Sequence, residues 1–185
     1  MATSANGWPA LESNSSKLVT WIIDAKDGLT KLRVRNGSAG FLLTYAAWWF
    51  SENIEPLHGN LLDDWGHAYR PVRGQTTGLS NHASGTAVDM NATRHGRGVI
   101  GTFLFKVKYK AKWVTAKYRF NLFLNRRFKG TIRWGENYQS TVDGMHIEIN
   151  ADLPVVEARA RALMDTPLGK RVLAANPAQR AVILS

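Results

Sequence analysis

The sequence predicts one α+β domain, in which a small, largely antiparallel sheet is covered on its other face by helices. Three observations lead there. Runs with period-two patterning recur at 29–35, 86–90 and 143–150, each short enough to be a strand. The apolar stretch 40–52 has helical spacing instead, with Leu43, Ala46, Ala47 and Phe50 on one face and Pro56 just beyond its end. A chain of 185 residues supports one core of fair size and is too short for two large domains. The expected division is a main domain over 1–150, beginning with a loose arm, and a C-terminal helical segment over 151–185 that packs on it or forms a small appendage.

In chain order, residues 1–16 are rich in Ser, Asn and Ala and read as the arm, with Trp8 and Leu11 docking on the body. Residues 18–23 are apolar and β-branched and admit either helix or strand, with Ser16 placed to cap a helix. Residues 29–35 alternate apolar and basic side chains up to the turn signal Asn36-Gly37. In the helix over 40–52 the cluster Trp48-Trp49-Phe50 reads as core, because aromatic rings dominate burial. Residues 65–72 read as a strand with Tyr69 and Arg70 near its end. The polar loop 74–81 that comes next is of the kind that carries function on a rigid frame. A basic, glycine-punctuated loop runs over 91–101. Residues 106–113 alternate like a strand but stay open between strand and helix, 113–128 read as a helix ended by Gly130, and a strand begins again over 132–134. Residues 154–164 read as a helix, and Pro167 and Pro177 break the remainder of the chain.

The absence of cysteine excludes disulfides and thiolate metal sites, so any zinc must be held by His, Asp or Glu. The most apolar stretch, 41–50, is too short to span a bilayer. The formal net charge of +10 is unevenly placed: between Asp89 and Glu136 there are twelve Lys or Arg and no acidic residue. Such a block attracts polyanions, whether nucleic acid, an anionic cell-wall polymer or an anionic membrane surface. Nucleophilic serine motifs (Ser-x-x-Lys and Gly-x-Ser-x-Gly) are absent, as is the helical zinc motif His-Glu-x-x-His. Carboxylate pairs such as Glu52 and Glu55 have no glycosidase motif around them.

Two stretches carry chemistry. Ser80-Asn81-His82-Ala83-Ser84-Gly85-Thr86-Ala87-Val88-Asp89 places a histidine and an aspartate seven residues apart, with a glycine for a tight turn between them. His82 on the loop and Asp89 on the strand can converge on one point. Asp143-Gly144-Met145-His146-Ile147-Glu148-Ile149 puts His146, Glu148 and Asn150 on one strand face and Ile147 and Ile149 on the other. His82, Asp89 and His146 then make three ligands with a fourth position open, the arrangement of a catalytic zinc. Asp143 lies near that metal and is free to handle a proton. Of the other histidines, His58 and His95 read as surface residues, and His67 is placed to support the site.

Ser-x-His-x-x-Gly-x-Ala-x-Asp followed by Asp-x-Met-His-x-Glu resembles the zinc D-alanyl-D-alanine carboxypeptidase and L-alanyl-D-glutamate endopeptidase family, which includes VanY-type enzymes and phage endolysins. His67-Ala68-Tyr69-Arg70-Pro71 is similar to the family's Tyr-Arg-Pro segment, and Ile132-Arg133-Trp134-Gly135 to its Trp-Gly element. The resemblance spans 29–150 and makes 1–150 the zinc peptidase domain. It implies Zn2+ as cofactor, held by His82, Asp89 and His146. It gives Asp143 the role of acid/base and Arg70 a contact to substrate or to the developing oxyanion. Glu148, Tyr69, Ser80 and Trp134 support the ligands from behind or touch substrate. Similar phage enzymes read Trp-Gly-Gly-Asp where this chain reads Trp134-Gly135-Glu136-Asn137, a departure that bears on substrate preference, since no ligand is touched.

The function this implies is phage endolysin-type hydrolysis of the L-alanyl-D-glutamate bond of peptidoglycan, with D-alanyl-D-alanine carboxypeptidase as the alternative. The expected partner is bacterial cell wall, with anionic wall polymers held through the basic block and no nucleic acid. The expected enzyme is a monomer without a membrane span. Its N-terminus lacks the pattern of a secretory signal, so it is expected to be made soluble in the host cytoplasm and to act on the wall after release. Two rivals remain: a basic nucleic-acid-binding protein with structural His and Asp, and an inactive wall-binding module.

Overall fold

A computed structural model describes residues 2–26, 28–57 and 63–185. His58 lies outside the described residues. The fold is built around α1 (Gly37–Asn53), which is buried on almost every side. Its sequence alternates little between apolar and polar, and a helix that is apolar all round belongs in a core. Against it lie the hairpin of β1 (Leu18–Ala25) and β2 (Gly28–Arg35), and three C-terminal helices, α3 (Leu153–Met164), α4 (Pro167–Ala175) and α5 (Gln179–Leu184). Val156, Ala160, Leu163, Val172 and Ile183 join the same apolar cluster as Phe41, Leu43 and Phe50.

The strands are distributed over three small antiparallel sheets. β1 and β2 form one. The second is a separate hairpin, β4 (Lys106–Tyr109) and β5 (Lys112–Thr115), which leads into α2 (Ala116–Phe128). The third has the order β3-β7-β6, with β3 (Ala87–Asp89) and β6 (Ile132–Trp134) either side of β7 (His146–Ile149). Ile147 and Ile149 are fully buried, so the alternation of β7 sends His146 and Glu148 to the opposite face.

The structure corrects several expectations. Residues 65–72 form no strand. They touch the rest of the fold through single bridges, Trp65 to Asp89 and Pro71 to Leu79, because their backbone donors go elsewhere and Pro71 has none: His67 N–H donates to Arg33 and Ala68 N–H to His82. The N-terminal arm is laced to the site: Ser4 Oγ bonds Ser84 Oγ at 2.7 Å, and the Asn6 side chain donates to Thr86 Oγ1 and to the Ile149 carbonyl. Ser16 caps no helix, since 18–25 is strand β1. The alternating lysine run folds back on itself at Lys110, whose φ is +55°, so 106–113 is two strands rather than one. α2 consequently starts at Ala116, where Thr115 accepts a bond from the Tyr118 N–H. Pro167 opens α4 instead of breaking it, with Thr166 Oγ1 accepting from the Gly169 N–H. His95 is 3% exposed, not a surface residue: its ring stacks on Phe103 at 3.9 Å and bonds Glu55 Oε2 at 2.7 Å.

The short 3-10 helix Asn81–Ser84 ends at Gly85, whose φ of +67° lies in the left-handed region. A Cβ there would stand 2.8 Å from both the Arg35 nitrogen and Leu18 Cδ2. Gly85→Ala should therefore cost about 1–3 kcal/mol from backbone strain alone. Thermal unfolding checks this: at this chain length a drop of several degrees is expected, and an unchanged midpoint would mean that β2 does not constrain this turn.

Candidate metal centre

His82 reaches the site from the 3-10 helix, whose N-terminus is capped by Ser80 Oγ accepting from the His82 N–H. Asp89 and His146 face each other across the β3-β7 ladder as register partners. His82 Nε2, Asp89 Oδ1 and His146 Nδ1 are separated by 3.2, 2.9 and 3.1 Å. Ligands about 2.0–2.1 Å from a tetrahedral zinc stand about 3.3 Å from one another, so these three atoms already approximate one face of such a tetrahedron. The three residues form the metal-capable group found among the described residues. The donor set of two imidazoles and one carboxylate suits zinc, and the residues fit the ion.

The atoms behind the ligands fix their orientation. His82 Nδ1 donates to the Gly66 carbonyl at 2.6 Å, leaving Nε2 to face the centre. His146 Nε2 pairs with Glu148 Oε2 at 3.0 Å, leaving Nδ1 to face it. Glu148 is itself held by Arg133 Nε at 2.7 Å, by Tyr138 Oη at 2.7 Å and by Asn81 Nδ2. This carboxylate–histidine pair is the usual outer support of a metal ligand. Glu148→Gln should weaken zinc binding about 10–100-fold while leaving the three ligands in place. Titration with a competing chelator measures it, and unchanged affinity would reduce Glu148 to a structural ion pair with Arg133.

The electrostatics of the metal-free cluster fit this arrangement. Burial alone would raise the Asp89 carboxyl, but hydrogen bonds from His146 and His82 hold it well below the usual range. Burial would lower His146, yet bonds to Asp89 and Glu148 raise it above an ordinary imidazole. A proton on His146 and a cation on the triad are alternative ways to compensate the same buried carboxylates, so metal binding should release protons. Asp143 differs. Burial raises it and the Asp89 charge adds to that, while His146 and Arg97 pull the other way without cancelling. Its Oδ1 is buried without a hydrogen-bond partner.

Asp143 is placed by the Trp-Gly element. Its N–H donates to the Gly135 carbonyl at 3.0 Å, and a Cβ on Gly135 would stand 2.3 Å from the Asp143 carbonyl oxygen. Trp134 lies in the core under the site, 1% exposed, and its Nε1 donates to the Gly144 carbonyl at 2.7 Å. It shapes the turn before His146 and does not line the cavity. The cavity wall does include Arg70, Ser80, His82, Asp89, Asp143, His146 and Glu148. Tyr69 is 46% exposed and lies off that wall. His67 bonds the Leu11 carbonyl, tying down the arm. Glu136 is buried against Lys117 Nζ at 3.1 Å, and neither it nor Asn137 reaches the cavity.

Sequence reasoning missed Asn81, Tyr138, Gly66 and Arg97. Arg133 was seen only as part of a motif, although the β6-β7 register sets it directly opposite Glu148. Asn81 was legible in principle, being next to His82. Tyr138 and Gly66 act through folding of loops that no periodicity reveals.

The triad and the buried carboxylate beside it are compatible with a metallopeptidase. Residues 73–149 match the family described as D-alanyl-D-alanine carboxypeptidase, a likeness over less than half of the chain. The matched segment holds His82, Asp89, Asp143, His146 and Glu148 and stops short of Arg70. No curated protein and no solved structure gives a significant match.

Proposed function

We propose that the protein hydrolyses an amide bond in the stem peptides of peptidoglycan. The observation that carries the reading is the near-tetrahedral spacing of His82, Asp89 and His146 beside the unpartnered carboxylate oxygen of Asp143. His82, Asp89 and His146 would hold a zinc ion, which would supply Lewis acidity, lowering the pKa of water to about 7 and polarising a carbonyl. Asp143 takes the proton of the attacking water as its oxygen bonds to the carbonyl carbon. The C–N bond then breaks, and Asp143 hands that proton to the leaving amine. Arg70, on the cavity wall, supports the oxyanion.

The finer proposal is endolysin-type cleavage between L-alanine and D-glutamate, one of the two bonds that the resemblance of the motifs admits. The family description favours a second reading, release of terminal D-alanine. Mass spectrometry of digested wall separates them. New N-terminal D-glutamyl peptides support the endopeptidase, free D-alanine alone supports the carboxypeptidase, and an undigested wall overturns both.

The basic block is proposed to hold the enzyme on anionic wall polymer. Lys106, Lys108, Lys110 and Lys112 are exposed on the β4-β5 hairpin, away from the cavity wall. No described helix is long and apolar enough to cross a membrane. Replacing the four lysines by Gln should weaken wall binding at low salt, with the difference shrinking at high salt. Hydrolysis of a small soluble peptide should barely change. A large loss on that peptide would place the hairpin in the site instead.

A further inference from the structure

Four arginines line the cavity: Arg70, Arg73, Arg97 and Arg133. Arg133 is committed to Glu148, its Nε and Nη2 both donating to Oε1. Among the described residues Arg70 and Arg73 have no acidic partner, and Arg97 has only Asp143, with Nη1 4.0 Å from Oδ2. That distance is beyond a hydrogen bond. Asp89 and Glu148, the other carboxylates of the wall, are already engaged by the histidines. With a divalent ion on the triad the cavity is therefore strongly positive and selects an anionic substrate.

Arg97 and Arg70 are delivered from different sides. Arg70 belongs to the segment that leads to His82, its carbonyl accepting from the Ser80 N–H. Arg97 is stitched to the turn that carries Asp143: it forms a bridge with Asp143, the Gly98 N–H donates to the Val142 carbonyl at 2.7 Å, and the Met145 N–H donates to the His95 carbonyl at 2.9 Å. The arginine thus accompanies the group that protonates the leaving amine. Whatever Arg97 binds must lie within a few ångströms of that nitrogen.

Resting on the reading of the protein as a stem-peptide hydrolase, we propose that Arg97 is a specificity-determining residue that reads a free α-carboxylate on the amine side of the scissile bond. The chemistry of both candidate substrates agrees. In an L-alanyl-γ-D-glutamyl peptide and in a terminal D-alanyl-D-alanine, the leaving nitrogen is attached to a carbon bearing a free α-carboxylate. Arg97 can meet that group with its guanidinium fork while remaining beside Asp143. The side chain is about one-third exposed, so it has room to turn toward a ligand.

The test compares an L-alanyl-γ-D-glutamyl peptide with its α-amide. The parent should favour the carboxylate by about ten- to a hundredfold in kcat/KM, the usual worth of a charge-assisted pair. Arg97→Gln should bring that ratio close to one, and Arg97→Lys should keep part of it. Calorimetry on Asp143→Asn gives a readout without turnover. It should bind the carboxylate peptide more tightly than the amide, a preference lost on adding Arg97→Gln. A ratio unchanged in Arg97→Gln overturns the proposal, as does a ratio that collapses in Arg70→Gln alone. A change confined to the acid limb of the pH profile also overturns it, since Arg97 would then merely tune Asp143. Arg97-dependent binding without cleavage supports the carboxylate reader and overturns the hydrolase reading. Absence of both binding and cleavage overturns the two together.

Discussion

His146→Ala is expected to lose both bound zinc and hydrolysis, a larger effect on metal affinity than the about 10–100-fold typical of an outer-shell change. His146 is the hub of the site: Nδ1 meets Asp89 and His82, and Nε2 meets Glu148. Removing it also takes one partner from each of two buried carboxylates, Asp89 keeping His82 and Glu148 keeping Arg133, Tyr138 and Asn81, and breaking a buried pair costs up to about 3–5 kcal/mol. Loss of activity in this variant therefore needs a control for folding. His82→Ala provides one, because His146 stays between Asp89 and Glu148. It should lose metal and activity with a smaller loss of stability. Elemental analysis and thermal unfolding of both variants check this. Full zinc occupancy in His146→Ala would contradict the ligand assignment.

Asp143→Asn is expected to keep zinc and the fold while losing about a hundredfold to ten-thousandfold in hydrolysis, the usual contribution of a general acid/base. Its side chain makes no hydrogen bond through Oδ1, so an amide of the same size breaks no internal bond of that atom. Burial raises its pKa, which suits a group that must hold a proton before giving it to the leaving amine. Glu148 cannot take over. Burial would raise it, but bonds from His146 and the groups behind it pull it down to about 2, and both oxygens are occupied. A variant as active as the parent would mean that the water is activated by another group.

The convergence of His82, Asp89 and His146 was more legible in the sequence than the course of the chain around them. His82 and Asp89 flank a glycine that the turn requires, and the alternation of β7 separates His146 and Glu148 from Ile147 and Ile149. Such local patterns survive folding because they are set by backbone geometry. The errors came where tertiary partners decide. A period-two run of lysines does not say where it reverses, and Lys110 takes the left-handed conformation without a glycine to announce it. His95 sits among arginines in the sequence yet is buried by Phe103, which the sequence places eight residues away with no periodic link. Residues 65–72 look like a strand in composition, but their donors are taken by β2 and the 3-10 helix. The arm over 1–16 has a loose composition, and its order comes from side-chain bonds to Ser84 and Thr86 that no local rule foresees.

His82, Asp89 and His146 together are expected to hold a zinc ion beside Asp143. Anomalous scattering from crystals of the zinc-loaded protein, measured above and below the zinc edge, tests it most directly. A single strong peak is expected within about 2.0–2.2 Å of His82 Nε2, an Asp89 carboxylate oxygen and His146 Nδ1. A peak elsewhere, or none at the triad under saturating zinc, would contradict it.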